Sequence, residues 1–305
     1  MDPSSITSAG TYVWSYSANA RVPVTYTFAS DLMAVTMTPT SALAANSQFN
    51  YYCGGAIDLT GNTQNNTSDG FYTGSGPVTT GPTLVYANPP NGYTNVPLNT
   101  NNGPWYGSSL GLLFSEPVAQ NSLGSITLTP NGGSAMPIAV YPEDGSFIVW
   151  VQLPWALQAN TTYTYNIAGV TDLNGNPMTT ATSTFTTGSS FDFTNASVTA
   201  TVPVSSATPL AVMPTSVSVT FSEAMDPVLI NTNEIYLRTH NTQTVVPTTL
   251  TISPDYTTVT LTPTAPLAAS TIYDIYYYPN PWWLTDIAGN SSTNNYGILS
   301  TFTTP

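Results

Sequence analysis

The chain has 305 residues and a formal net charge of −13, from 2 Lys+Arg against 15 Asp+Glu. A chain this acidic is repelled by phosphate backbones and by anionic lipid, so nucleic-acid binding and attachment to an anionic membrane surface are excluded. Charged residues make up only 6% of the chain, against roughly 25% in an average soluble domain, and Thr, Ser, Asn, Tyr, Pro and Gly take their place.

No apolar run approaches the roughly 20 residues of a spanning helix. At 41% hydrophobic and 11% aromatic the sequence is also too apolar for disorder. Thr and Tyr favour strands, and Asn, Pro and Gly favour turns. With no lysine and with 26 Pro and 21 Gly, good helix material is scarce. The chain reads as all-β with a neutral polar surface, and its length suits two or three domains of about 100 residues each.

At the start, Met1-Asp2-Pro3-Ser4-Ser5 lacks the basic and apolar segments of a secretory signal. Further on come Leu43-Ala44-Ala45-Asn46-Ser47-Gln48-Phe49, the lone Cys53, and Asp58-Leu59-Thr60-Gly61-Asn62. A single cysteine forms no intrachain disulfide. The last motif recurs as Asp172-Leu173-Asn174-Gly175-Asn176 and Asp286-Ile287-Ala288-Gly289-Asn290, at intervals of 172 − 58 = 114 and 286 − 172 = 114. The upstream motif recurs as Leu157–Tyr163 and Leu267–Tyr273. Leu112-Leu113-Phe114-Ser115-Glu116 matches Val219-Thr220-Phe221-Ser222-Glu223, and two copies close on Ser183–Thr187 and Ser300–Thr304.

Between these marks the apolar residues alternate. Val35 and Met37 match Val149 and Val151, then Val259 and Leu261. Phe49, Tyr51 and Cys53 match Tyr163, Tyr165 and Ile167, then Tyr273, Ile275 and Tyr277. Period-two patterns bounded by Pro, Gly and Asn are half-buried strands. About seven fit each unit of about 110 residues, which predicts tandem immunoglobulin-like β-sandwiches over residues 1–80, 81–188 and 189–305. Copy one begins after the segment equivalent to Val217–Glu223 and so lacks about two strands. Either those strands lie upstream in a longer repeat protein or a neighbouring subunit donates them. The first explanation is favoured, because no spare alternating segment is available for donation.

The order F-S-E, then L-x-x-x-T-x-Y, then D-x-x-G-N, then T-F-T-T resembles the bacterial Ig-like domain of S-layer proteins and large surface adhesins. The resemblance implies an extracellular, non-catalytic building block and names no ligand.

Few residues invite chemistry. Asp58, Asp172 and Asp286 are weak calcium candidates, because carboxylate oxygens suit a hard cation. Glu116, Glu223 or Asp226 would have to join them. The competing reading is a turn in which the aspartate caps backbone N–H groups, Gly61, Gly175 and Gly289 take positive φ, and Asn62, Asn176 and Asn290 follow. No other cofactor is expected. His240 is the single histidine, in an exposed turn with no nucleophile pattern, and Cys53 packs as a small hydrophobe. Glu143-Asp144 reads as a solvated turn rather than a glycosidase pair. The aromatic run through Tyr278, Trp282 and Trp283 is a candidate surface for glycans or protein, with Trp105-Tyr106 and Trp155 behind it. Asn65, Asn66, Asn160, Asn195 and Asn290 lie in N-x-[ST] sequons and are glycosylation candidates.

The expected function is a structural part of a surface fibre, S-layer-like array or adhesin stalk at the cell surface. Its partners would be neighbouring repeats or copies of itself, with junctions such as Gly76–Pro82 limiting bending. The alternatives are a glycan- or protein-binding adhesion module, or an accessory region of a large secreted enzyme.

Overall fold

The computed structural model describes residues 1–305 except 75, 77–78, 100–109, 144–146, 279–283 and 294–296. The chain forms two compact units, Met1–Thr79 and Thr80–Pro305.

The first unit contains β1 (Tyr12–Ser15), β2 (Ala20–Val22), β3 (Val24–Phe28), β4 (Val35–Pro39), β5 (Gln48–Cys53) and β6 (Thr67–Tyr72). One sheet has the order β2-β1-β5-β6, and β3 and β4 form a separate hairpin. Alternation sets the faces: Val13, Ser15 and Phe49 are buried, while Tyr12, Trp14 and Tyr52 point outward.

The second unit holds two sandwiches. The first contains β7 (Leu84–Asn88), β8 (Tyr93–Val96), β9 (Gly111–Phe114), β10 (Thr127–Pro130), β11 (Ala139–Pro142), β12 (Ile148–Gln152), β13 (Thr162–Ile167) and β14 (Ala181–Thr187). Its sheets are β11-β12-β9-β7 and β10-β13-β14-β8, with β8 parallel to β14. The opening strand is split between the sheets at Pro89-Pro90, where two residues without N–H donors cannot continue a ladder.

The second sandwich contains β15 (Val198–Val202), β16 (Val217–Phe221), β17 (Ile235–Thr239), β18 (Thr248–Ile252), β19 (Thr258–Pro263), β20 (Ile272–Tyr277) and β21 (Gly297–Thr303). Its sheets are β15-β16-β19-β18 and β17-β20-β21, the four-plus-three arrangement of a constant-type immunoglobulin sandwich. Val217, Val219, Phe221, Val259, Leu261, Tyr273, Ile275 and Phe302 fill the space between the sheets.

The first unit repeats this second sandwich in register. Val24 pairs with Pro39 as Thr248 pairs with Pro263, and 248 − 24 = 263 − 39 = 224. Its described residues contain no counterpart of β15 and β16. In the complete sandwich β19 pairs with both β16 and β18, whereas β4 pairs with β3. The burial follows from that difference. Ile275 and Phe302 are 0% exposed, while their equivalents Tyr51 and Phe71 are 39% and 37% exposed. Cys53 faces the same open side and is half-buried.

Candidate functional site

The three D-x-x-G-N turns share one geometry. The Oδ1 atom of Asp58 accepts from the backbone N–H of Thr60 and Asn62 at 2.8 and 2.9 Å, and Oδ2 accepts from Asn62 Nδ2 at 2.7 Å. Asp172 accepts from the N–H groups of Asn174 and Asn176, both at 2.8 Å. Asp286 accepts from the N–H and Nδ2 of Asn290, both at 2.9 Å. Gly61, Gly175 and Gly289 take φ of 95°, 88° and 91°, a region a side chain would strain.

Surroundings then separate the three. Asn62, through its side chain and backbone, holds the exposed Asp58 below the ordinary carboxylate range. For Asp172 burial pulls upward, but the Asn176 and Asn174 donors outweigh it and the net shift is downward. Asp286 is pushed up to about 6, first by burial and then by the charge of Asp192, against the pull of Asn290.

Asp286 belongs to a cluster. Carboxylate oxygens of Asp192, Glu223 and Asp286 all lie within 4.8 Å of one another, and among the described residues they form the group that could hold a hard cation. Burial, followed by the charges of Asp286 and Asp192, pushes Glu223 up to about 7. Asn99 donates through Nδ2 to the carbonyl of Asp192, and Asp192 N–H returns a bond to Asn99 Oδ1 at 2.8 Å. Asn290 Nδ2 also reaches the Asp192 carbonyl at 3.1 Å. Nearby Asp226 is wholly buried, with Oδ1 accepting from Val228 N–H at 2.9 Å. Burial raises it well above the carboxylate range; Val228 opposes and Asp286 adds to the rise.

These acids stand where the two sandwiches of the second unit meet, and there each sandwich completes the other's core. Ile287, from the third D-x-x-G-N turn, is 3% exposed within the apolar cluster of the first sandwich. Trp150, on β12 of the first sandwich, is 9% exposed within the cluster of the second. It points away from its own core, because Val149 and Val151 on either side point in. Gly111 lies opposite it in the sheet, and a Cβ there would sit 3.0 Å from the indole and 3.5 Å from Val228. Trp150 Nε1 donates to Glu143 at 3.2 Å, Asn88 Nδ2 donates to the Ile287 carbonyl at 3.3 Å, and Tyr93 meets Tyr256 edge-on at 5.8 Å.

The sequence reading named Asp286, Glu223 and Asp226, and the fold brings all three to this junction. It missed Asp192, which carries no motif, and Trp150. The signal for Trp150 was available: a tryptophan at an outward position, where alternation calls for a polar residue. Trp282, Trp283, Trp105, Tyr106 and Asp144 lie outside the described residues, as do Pro77 and Val78 of the segment between the units. Tyr278 and Trp155 are exposed. Asn65, Asn66, Asn160 and Asn195 are exposed, whereas Asn290 is half-buried with its amide engaged. His240 is exposed, and its Nδ1 lies 2.8 Å from Asp274.

The bacterial Ig-like domain model matches residues 78–187 and 192–304, and the chain belongs to that family. Among solved structures, Titin-A168169 is 10% identical, with 66% of this chain and 92% of that one covered and a TM-score of 0.21. The chicken CNTN1 FN1–FN3 domains are 12% identical, with 95% and 88% covered and a TM-score of 0.22. No curated protein sequence matches the chain.

Proposed function

We propose that the chain is a non-catalytic structural segment of a bacterial cell-surface fibre, array or adhesin stalk. The supporting observation is the junction within the second unit, where Trp150 and Ile287 are each buried in the neighbouring sandwich's core. Burying two large side chains across a boundary contributes about 2–3 kcal/mol each, enough to hold two domains in one orientation. A stalk needs fixed orientation to transmit force and position, whereas an enzyme needs a reactive cleft. Domains of this family are usually found in surface-exposed bacterial proteins. The sparsely charged, hydroxyl-rich surface suits lateral packing, and the lack of lysine removes most tryptic sites.

Labelling intact cells with an antibody to the chain, together with electron microscopy of the purified protein, tests the reading. Surface label and ordered filaments or sheets are expected. Label confined to lysed cells would refute it.

A further inference from the structure

We infer that the outward face of the four-stranded sheet in the first unit binds an acidic saccharide, with sugar rings on its aromatic side chains and a carboxylate on Arg21. Tyr12 and Trp14 on β1, Tyr16 just beyond it, Tyr52 on β5 and Tyr72 on β6 all point to this face, opposite the buried Val13, Ser15 and Phe49. Tyr16 and Tyr72 are 48% and 74% exposed. The rings of Tyr12 and Tyr52 stack at 4.7 Å, and the guanidinium of Arg21 lies 3.8 Å above Tyr12. Rigid rings offer contact area at small entropic cost, and their flat faces suit the C–H surface of a pyranose.

The arginine decides the ligand's charge. Arg21 donates to the carbonyls of Ser8 and Ala9, which fixes the guanidinium and leaves other N–H donors of its five. None of the unit's four aspartates shares the face: Asp2, Asp31 and Asp58 lie in loops, and Asp69 pairs with Tyr51 on the opposite side. In a chain with 2 Lys+Arg and 15 Asp+Glu, this is a cation that, among the described residues, has no carboxylate partner on its own surface. Its complement is an anion, and a planar guanidinium matches a carboxylate in a two-pronged bond.

The other sandwiches supply internal controls. Tyr236 and Tyr276 occupy the places of Tyr12 and Tyr52, since 236 − 12 = 276 − 52 = 224, and stack at 5.3 Å. The second arginine, Arg238, lies 3.7 Å over Tyr276. It comes from the strand position of Trp14, whereas Arg21 matches Val245, so two different positions deliver an arginine to the same tyrosine pair. Here, however, buried Asp274 accepts from Arg238 Nε at 3.4 Å and meets His240 at 2.8 Å, which neutralises the patch. The first sandwich of the second unit has Thr127 and Asn166 at this pair.

The test is affinity electrophoresis of the full chain through gels containing polygalacturonate or, for comparison, dextran. Retardation by polygalacturonate alone is expected at about 0.15 M salt, where repulsion between the polyanion and the chain's net charge of −13 is screened beyond about 8 Å while the direct Arg21 contact persists. Arg21→Gln should weaken it by about tenfold, the worth of a hydrogen bond to a charged group. Tyr16→Ala and Tyr72→Ala should weaken it as well, and these exposed side chains can be removed without unfolding the unit. Arg238→Gln should leave it unchanged. Absence of retardation, equal retardation by dextran, or undiminished binding in Arg21→Gln and Tyr72→Ala would each overturn the assignment.

Discussion

Asp58, Asp172 and Asp286 stand in the same five-residue motif and make the same turn, yet they titrate in opposite directions. The turn's N–H groups hold the first two down. Burial at the junction and the neighbouring acids push Asp286 to about 6 and Glu223 to about 7. For the raised pair the folded state holds protons more tightly than the unfolded chain, whose carboxyls titrate near pH 4. Their contribution to stability is therefore full below pH ~4 and declines as pH rises towards 7. Asp172 acts in the opposite sense, and its contribution is lost as pH falls below the ordinary carboxylate range. We expect the melting temperature of the second unit, followed in metal-free buffer, to fall from about pH 5 to 7, with buried Asp226, raised further still, continuing the decline above that. Glu223→Gln should make the slope shallower, and a slope that the substitution leaves untouched would count against the cluster. Trp150→Ala should cost about 3–5 kcal/mol in chemical denaturation, because it empties a site shared by two cores. Thr260, at the equivalent place on β19 opposite Ser218, should tolerate alanine within about 0.5 kcal/mol.

At the scale of elements, the pairing of β12 with β9 makes the docking surface. Gly111 leaves room for the Trp150 ring and for Val228 from the following sandwich. Gly111→Ala should overpack this contact and cost about 1–3 kcal/mol, read as a lowered denaturation midpoint. The first unit poses the reverse problem, a missing contact. Among the described residues its β4 has one pairing partner where β19 has two. Backbone groups on that edge and the half-open core should make it the weaker unit. Calorimetry should resolve two transitions, the lower one assigned to Met1–Thr79 by hydrogen exchange at β4. A single transition with uniform protection would contradict this.

For the whole molecule, little charge and much hydroxyl surface leave domain contacts to apolar side chains placed one at a time. Alternation made the strands and both cores legible, because burial of one sheet face writes a period of two into Val35, Val149, Val259 and their neighbours. The interval of 114 residues, met twice between three copies, made the repeats legible. The junction was largely hidden. Ile287 looks like Leu59 and Leu173 in sequence, yet they are 72% and 67% exposed while it is 3% exposed. The stacked tyrosines were hidden for a related reason: Tyr12 and Tyr52 meet only across a strand pair, and Arg21 reaches them from a third strand.

Sequence alone thus determined the immunoglobulin-like architecture, since strand period, turn residues and repeat spacing are local properties of the chain. Tertiary structure decided which copy of each motif is buried, which aspartate is shifted upward rather than downward, and where an arginine finds aromatic rings. These depend on contacts between residues far apart in sequence, and desolvation and charge act through space rather than along the chain.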